Sequence, residues 1–147
     1  MPKKAIRKFF TEEQEQLVID AIRKAELNTS GEIRVHIEET CEGDSFDRAT
    51  HIFGELSMHE TELRNGILFY IATEDHKFSV VGDEGIHNHV QDSFWQSIRD
   101  EVIEDFKVGN FTEGLTKGII HCGEALREHF PYQDDDINEL PDEISTS

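Results

Sequence analysis

The sequence predicts an α/β protein: a small mixed sheet in the order strand, helix, strand, hairpin strand, flanked by helices. Three observations predict it. Residues 32–39, "EIRVHIEE", alternate apolar and polar side chains; "GILFYIAT" at 66–73 is a nearly unbroken apolar run; and several longer segments carry apolar residues at three- and four-residue spacing. At 147 residues the chain is long enough for one domain with a proper core and too short for two comfortable ones.

The first helix starts at Thr11, which has Gln14 at capping-box spacing, with Phe9 and Phe10 ready to staple the first turn. Leu17, Val18, Ala21, Ile22, Ala25 and Leu27 form its apolar stripe, which stops near Asn28. In "EIRVHIEE", Ile33, Val35 and Ile37 face a core while Arg34, His36 and Glu38 face away, as in a strand with one covered face. The polar loop "TCEGDS" leads into "FDRATHIFGELSMHE", where Phe46, Ala49, Ile52, Phe53 and Leu56 suggest a second helix.

"GILFYIAT" has the composition of a central strand buried on both faces. "EDH" then makes a tight turn and "KFSVVG" returns as its antiparallel partner, the first crossover being right-handed and parallel. After Gly85, "IHNHV" reads as a short helical turn and "QDSFWQSIRDEVIEDFKVG" as a long helix closed by Gly109. Glu101 and Asp105 project near its apolar stripe, at the rim or leaning inward. In the last helix, "NFTEGLTKGIIHCGEALREHFP", Gly114, Gly118 and Gly123 lower intrinsic helix propensity, so close packing against a neighbour is the expected compensation. The folded domain is expected over 1–131, and 132–147, acidic and broken by Pro141, as a flexible tail.

Charge narrows the function classes. There are 14 Lys and Arg against 32 Asp and Glu, a formal charge of -18, which repels phosphate backbones and anionic lipid. No nucleic-acid partner is expected. Cys41 and Cys122 form neither a disulfide framework nor a thiolate zinc site, no segment approaches a membrane span, and the basic start has no apolar run of signal-peptide length. A cytoplasmic protein with no membrane segment is expected. P-loop, dinucleotide-binding and nucleophile-elbow motifs are absent.

Topology points to one candidate site. An antiparallel hairpin puts the end of "KFSVVG" beside the start of "GILFYIAT", and a parallel first strand starts at the same rim. Three loops therefore meet there, carrying Glu32, Arg64 with Asn65, and Asp83 with Glu84. Carboxylates, an amide oxygen and carbonyls exposed by flanking glycines are hard ligands, suited to Ca²⁺ or Mg²⁺. The alternative is a solvated acidic turn. The second acidic cluster, residues 38 to 47, falls at the opposite rim and could hold a cation by itself, though helix capping by Asp44 or Ser45 explains much of it. His87 is either a general base or metal neighbour, or a surface histidine.

"SGEIRVHIEE", "TELRNGILFYIATEDHKFSVVGDEGIH", "FWQSIRDEVIEDFKVGNFTEGLTKGI" and "LREHFP" together resemble the TPM domain family over roughly residues 8 to 131. The most specific pieces are "RNG" before a strand, "GD-x-GI" after the next, and "FK-x-G-x-F-x-x-G" at the end of the long helix. The resemblance implies an α/β/α sandwich of Rossmann-like appearance. It associates the fold with acid phosphatase activity, repair of photosynthetic complexes, receptor modulation and divalent-cation binding. It also supports Asp83 and Glu84 as site residues, and matches the family's acidic position on the long helix to Glu101.

Three functions follow as expectations. The first is a binding or regulatory module holding Ca²⁺ or Mg²⁺ through Glu32, Asn65, Asp83 and Glu84, with Glu101 as a fifth donor. The second is a metal-assisted phosphomonoester hydrolase at the same rim, with Asp83 or His87 accepting a proton from water. The third is a metal-independent domain that captures a protein partner through its acidic surface and tail.

Overall fold

The structure, a computed structural model, describes residues 6, 7, 9–132 and 144–146. Its elements run α1 (Glu12–Glu26), β1 (Glu32–Glu38), α2 (Ser45–Glu55), a short 3-10 turn (Met58–Glu60), β2 (Gly66–Ala72), β3 (Lys77–Gly82), α3 (Glu84–Lys107), α4 (Phe111–His129) and β4 (Ser145–Thr146). The sheet order is β3-β2-β1-β4, with β1 parallel to both β2 and β4 and β3 antiparallel to β2. This is an α/β fold with helices packed on both faces of a mixed sheet.

Strand alternation sorts the core into two layers. Ile33, Val35, Ile37, Ile67, Phe69, Ile71, Phe78 and Val80 face one side and pack with residues of α1, α3 and α4. Leu68, Tyr70, Ala72 and Val81 face the other and pack with Ala49, Ile52, Phe53 and Met58. β2 is buried along its whole length, as its apolar run predicts. β1 differs from expectation. Its alternation predicts one covered face, yet His36 and Glu38 are buried on the other, at 2% and 6% exposure. The reason is that α2 and β4 cover the side that a single strand's pattern assigns to water.

The local signals at helix ends hold. Thr11 Oγ1 accepts from the Gln14 amide at 3.1 Å, and Gln14 Oε1 accepts from the Thr11 amide at 2.9 Å, completing the capping box. The break expected after "IHNHV" falls at Gln91, whose φ of 66° and ψ of 177° separate the two helical pieces of α3. The glycines of α4 do sit at close approaches. A Cβ on Gly118 would lie 2.9 Å from Val102 Cγ2, and one on Gly123 2.7 Å from Ala25 Cα.

The expected tail lies mostly outside the described residues. Of the part described, Ile144 is buried, and Ser145 and Thr146 pair with His36 and Ile37 at the sheet edge. Among the described residues no helix is long and apolar enough to cross a membrane.

Candidate functional site

The rim read from topology exists as backbone pairing. The Glu32 amide donates to Asn65 O at 3.4 Å, the Asp83 amide to Gly66 O at 2.9 Å, and the Gly85 amide to Arg64 O at 2.8 Å. These bonds lock the start of β1, the start of β2 and the end of β3 side by side. The "GDEG" glycines then have a geometric reason. A Cβ on Gly85 would lie 2.2 Å from Leu63 O, and one on Gly82 2.1 Å from the Trp95 ring, so only glycine lets both neighbours come that close.

Three oxygen-bearing side chains at this rim are buried: Glu32 at 2%, Asn65 at 1% and Asp83 at 7% exposure. Asp83 caps α3, its Oδ1 accepting from the Glu84 amide at 2.8 Å. Arg64 grips the same carboxylate with Nε on Oδ2 at 2.8 Å and Nη2 on Oδ1 at 2.9 Å, and reaches Glu84 Oε1 with Nη1 at 3.3 Å. The hydrogen bond to Asp83, and then the negative charge of both acids, hold the guanidinium more firmly protonated than usual. Asn65 Nδ2 donates to Ser30 Oγ at 3.3 Å, and its amide oxygen is the acceptor end of that side chain. Glu84 is exposed.

Glu101 stands apart from this group. It lies past the Gln91 break on the face of α3 toward α4, where its Oε2 is 3.2 Å from His121 Nδ1. Asp105 likewise pairs with Lys117 at 3.5 Å. The inward lean of both acids is thus met by a histidine and a lysine on the packed helix. Among the described residues no group of three or more His, Cys, Asp or Glu side chains is arranged to hold a metal ion. The rim offers acids, an amide and carbonyls together with a resident arginine.

His87 is fixed in a way that speaks against general-base chemistry. Trp95 Nε1–H donates to His87 Nδ1 at 2.9 Å, so the neutral ring carries its proton on Nε2, 3.6 Å from Asp92 Oδ1. Neither nitrogen is then a free acceptor for a water proton.

The opposite rim holds a buried polar cluster that sequence reading assigned to solvent. Glu38 accepts from Arg48 Nε and Nη2, both at 2.8 Å, and from the Tyr70 hydroxyl, while His36 Nε2 lies 3.6 Å from Glu38 Oε1. Burial first, then the hydrogen bond to Glu38, pushes the Tyr70 phenol well up. Burial also lowers the His36 imidazole, against the pull of Glu38. The signal available in the sequence was Tyr70 itself, because a phenol inside a fully buried strand must find a partner.

The TPM domain family matches this chain over residues 6–125. Among solved structures, the BA42 protein from the psychrophilic bacterium Bizionia argentinensis is 51% identical, with a TM-score of 0.88, covering 97% of this chain and 98% of that one. The N-terminal domain of a protein from P. gingivalis is 18% identical, with a TM-score of 0.69 over 85% of this chain and 83% of that one. The N-terminal domain of cg2496 from Corynebacterium glutamicum is 10% identical, with a TM-score of 0.64 over 80% of this chain and 74% of that one. At such identities these last two share the fold alone. No curated protein matches.

Proposed function

The chain belongs to the TPM domain family, and from that premise we propose that it is a binding or regulatory module for a divalent cation, Ca²⁺ or Mg²⁺, at the rim formed by β1, β2 and β3. One observation carries the reading: Glu32, Asn65 and Asp83, from three separate segments, are all buried at one rim beside exposed Glu84. Oxygen donors of this kind suit a hard cation. The residues fit such an ion through Glu32, the Asn65 amide oxygen, Asp83 and Glu84, with backbone carbonyls completing the shell. Glu101, engaged with His121, is left out of the ligand set. Arg64 would be the resident positive charge that the ion competes with.

Hydrolase chemistry at this rim has less support, because His87 lacks a free acceptor nitrogen and Arg64 already holds Asp83. The test is a titration with Ca²⁺ and with Mg²⁺ followed by amide NMR. Saturable shifts in residues 29–32, 64–66 and 82–87, weakened in Asp83→Asn, are expected. Amides in those loops that stay still up to millimolar ion would remove the reading and leave a domain that works through protein contacts alone.

A further inference from the structure

The chain carries a second candidate site at the other end of the hairpin. A cavity of about 320 Å³ opens between the start of β3 and the second half of α3, within the usual size of small-molecule sites. Lys77 and Gly82 bound β3, so this cavity lies about 17 Å along the strand from the cation rim at the usual rise per residue. Its apolar wall is aromatic. Phe106 stands 5.7 Å from Phe78, 5.3 Å from Phe111 and 6.4 Å from Phe9, measured between ring centres.

The charged side chains among its described lining residues are all basic. Arg99, Lys107 and Lys77 line the cavity beside Ser45, Thr73 and His76, and no carboxylate does among the described residues. The whole chain holds 32 acids against 14 Lys and Arg, so a random patch of its surface would carry the opposite balance. Lys77 Nζ is steadied by Cys41 O at 2.8 Å and Gly43 O at 2.7 Å, carbonyls that leave its charge uncancelled. Arg99 and Lys107, two turns apart on one face of α3, make no hydrogen bond or ion pair among the described residues. A packing fault needs no such cluster of two lysines and an arginine. The net charge of -18 opposes an anion at long range, but ordinary salt screens that field within about 10 Å, so the local cations decide.

We propose that this cavity binds a small amphipathic organic anion, its aromatic or short acyl body among the phenylalanine rings and its carboxylate or phosphate head at Arg99 and Lys107. The cation rim is not needed for this, so the test uses protein without added divalent ion. Amide NMR titrations with hexanoate, phenyl phosphate and uncharged hexan-1-ol separate the terms. At least one anion shifts Phe78, Arg99, Ile103 and Phe106 saturably and binds at least about tenfold more tightly than hexan-1-ol. The tighter of the two anions shows which combination of body and head group the cavity prefers. The double variant Arg99→Gln/Lys107→Gln loses that preference while keeping its hexan-1-ol affinity, which also shows that it is folded. Equal affinity for hexan-1-ol and both anions in the parent protein, or no saturable shift from either anion, would overturn the proposal.

Discussion

Arg64 holds Asp83 by both carboxylate oxygens, 2.8 Å from Oδ2 and 2.9 Å from Oδ1, from a side chain that is itself 41% exposed. A buried acid is thus neutralised by a cation that can swing into water. A divalent ion using Asp83 must displace this arginine or share the carboxylate with it. Arg64→Gln removes the competing charge and is expected to tighten Ca²⁺ or Mg²⁺ binding severalfold, as measured by calorimetric titration. Weaker binding in that variant would mean that Arg64 supports the ligand rather than rivals it.

Two glycines in helices should respond to alanine with opposite signs. Alanine gains about 0.5–1 kcal/mol over glycine in a helix interior. At Gly54 a Cβ meets nothing within 4 Å, so Gly54→Ala should raise stability by part of that amount. At Gly123 the Cβ would sit 2.7 Å from Ala25 Cα and 2.8 Å from Ala25 O, backbone that cannot rotate away. Forcing α1 and α4 apart costs about 1–3 kcal/mol, so Gly123→Ala should be net destabilising. Urea unfolding of both variants decides it, and a stabilised Gly123→Ala would show that the two helices have slack.

The buried cluster at the far rim sets a pH window. Burial lowers His36 below its ordinary 6.5, although Glu38 raises it and Arg48 and Arg34 lower it further. Unfolded chains therefore take up a proton near 6.5 that the folded chain resists, so stability from this group is complete above that pH and is lost as pH falls. Tyr70 works in the other direction, its phenol raised above 10.0 by burial and then by Glu38. Its contribution is complete below about pH 10 and is lost as the unfolded chain begins to ionise above it. Urea midpoints measured from about pH 7.5 to 5.5 should fall in the parent and fall less in His36→Gln. Identical slopes would show that another group governs the acid side. Phenolate absorbance at about pH 11 should be smaller in the folded than in the urea-unfolded chain.

The sequence by itself determined the helix starts, the hairpin, the central strand and the rim where Glu32, Asn65 and Asp83 meet. Each of these is written in short-range signals: the Thr11–Gln14 box, the two-residue alternation, and an apolar run too continuous to touch water. Strand direction then carried the rim, because once β2 and β3 form a hairpin and β1 runs parallel, the three ends have one place to go.

Only the tertiary structure decided what surrounds each group. It gave Asp83 to Arg64, turned Glu101 toward His121, and buried His36 and Glu38 under α2 and an edge strand drawn from Ser145 and Thr146. Periodicity reports which way a side chain points from its own strand or helix. Which cation, helix or strand arrives to face it depends on residues of other elements, 19 positions away for Arg64 and Asp83 and 109 for His36 and Ser145, and no local pattern encodes that meeting.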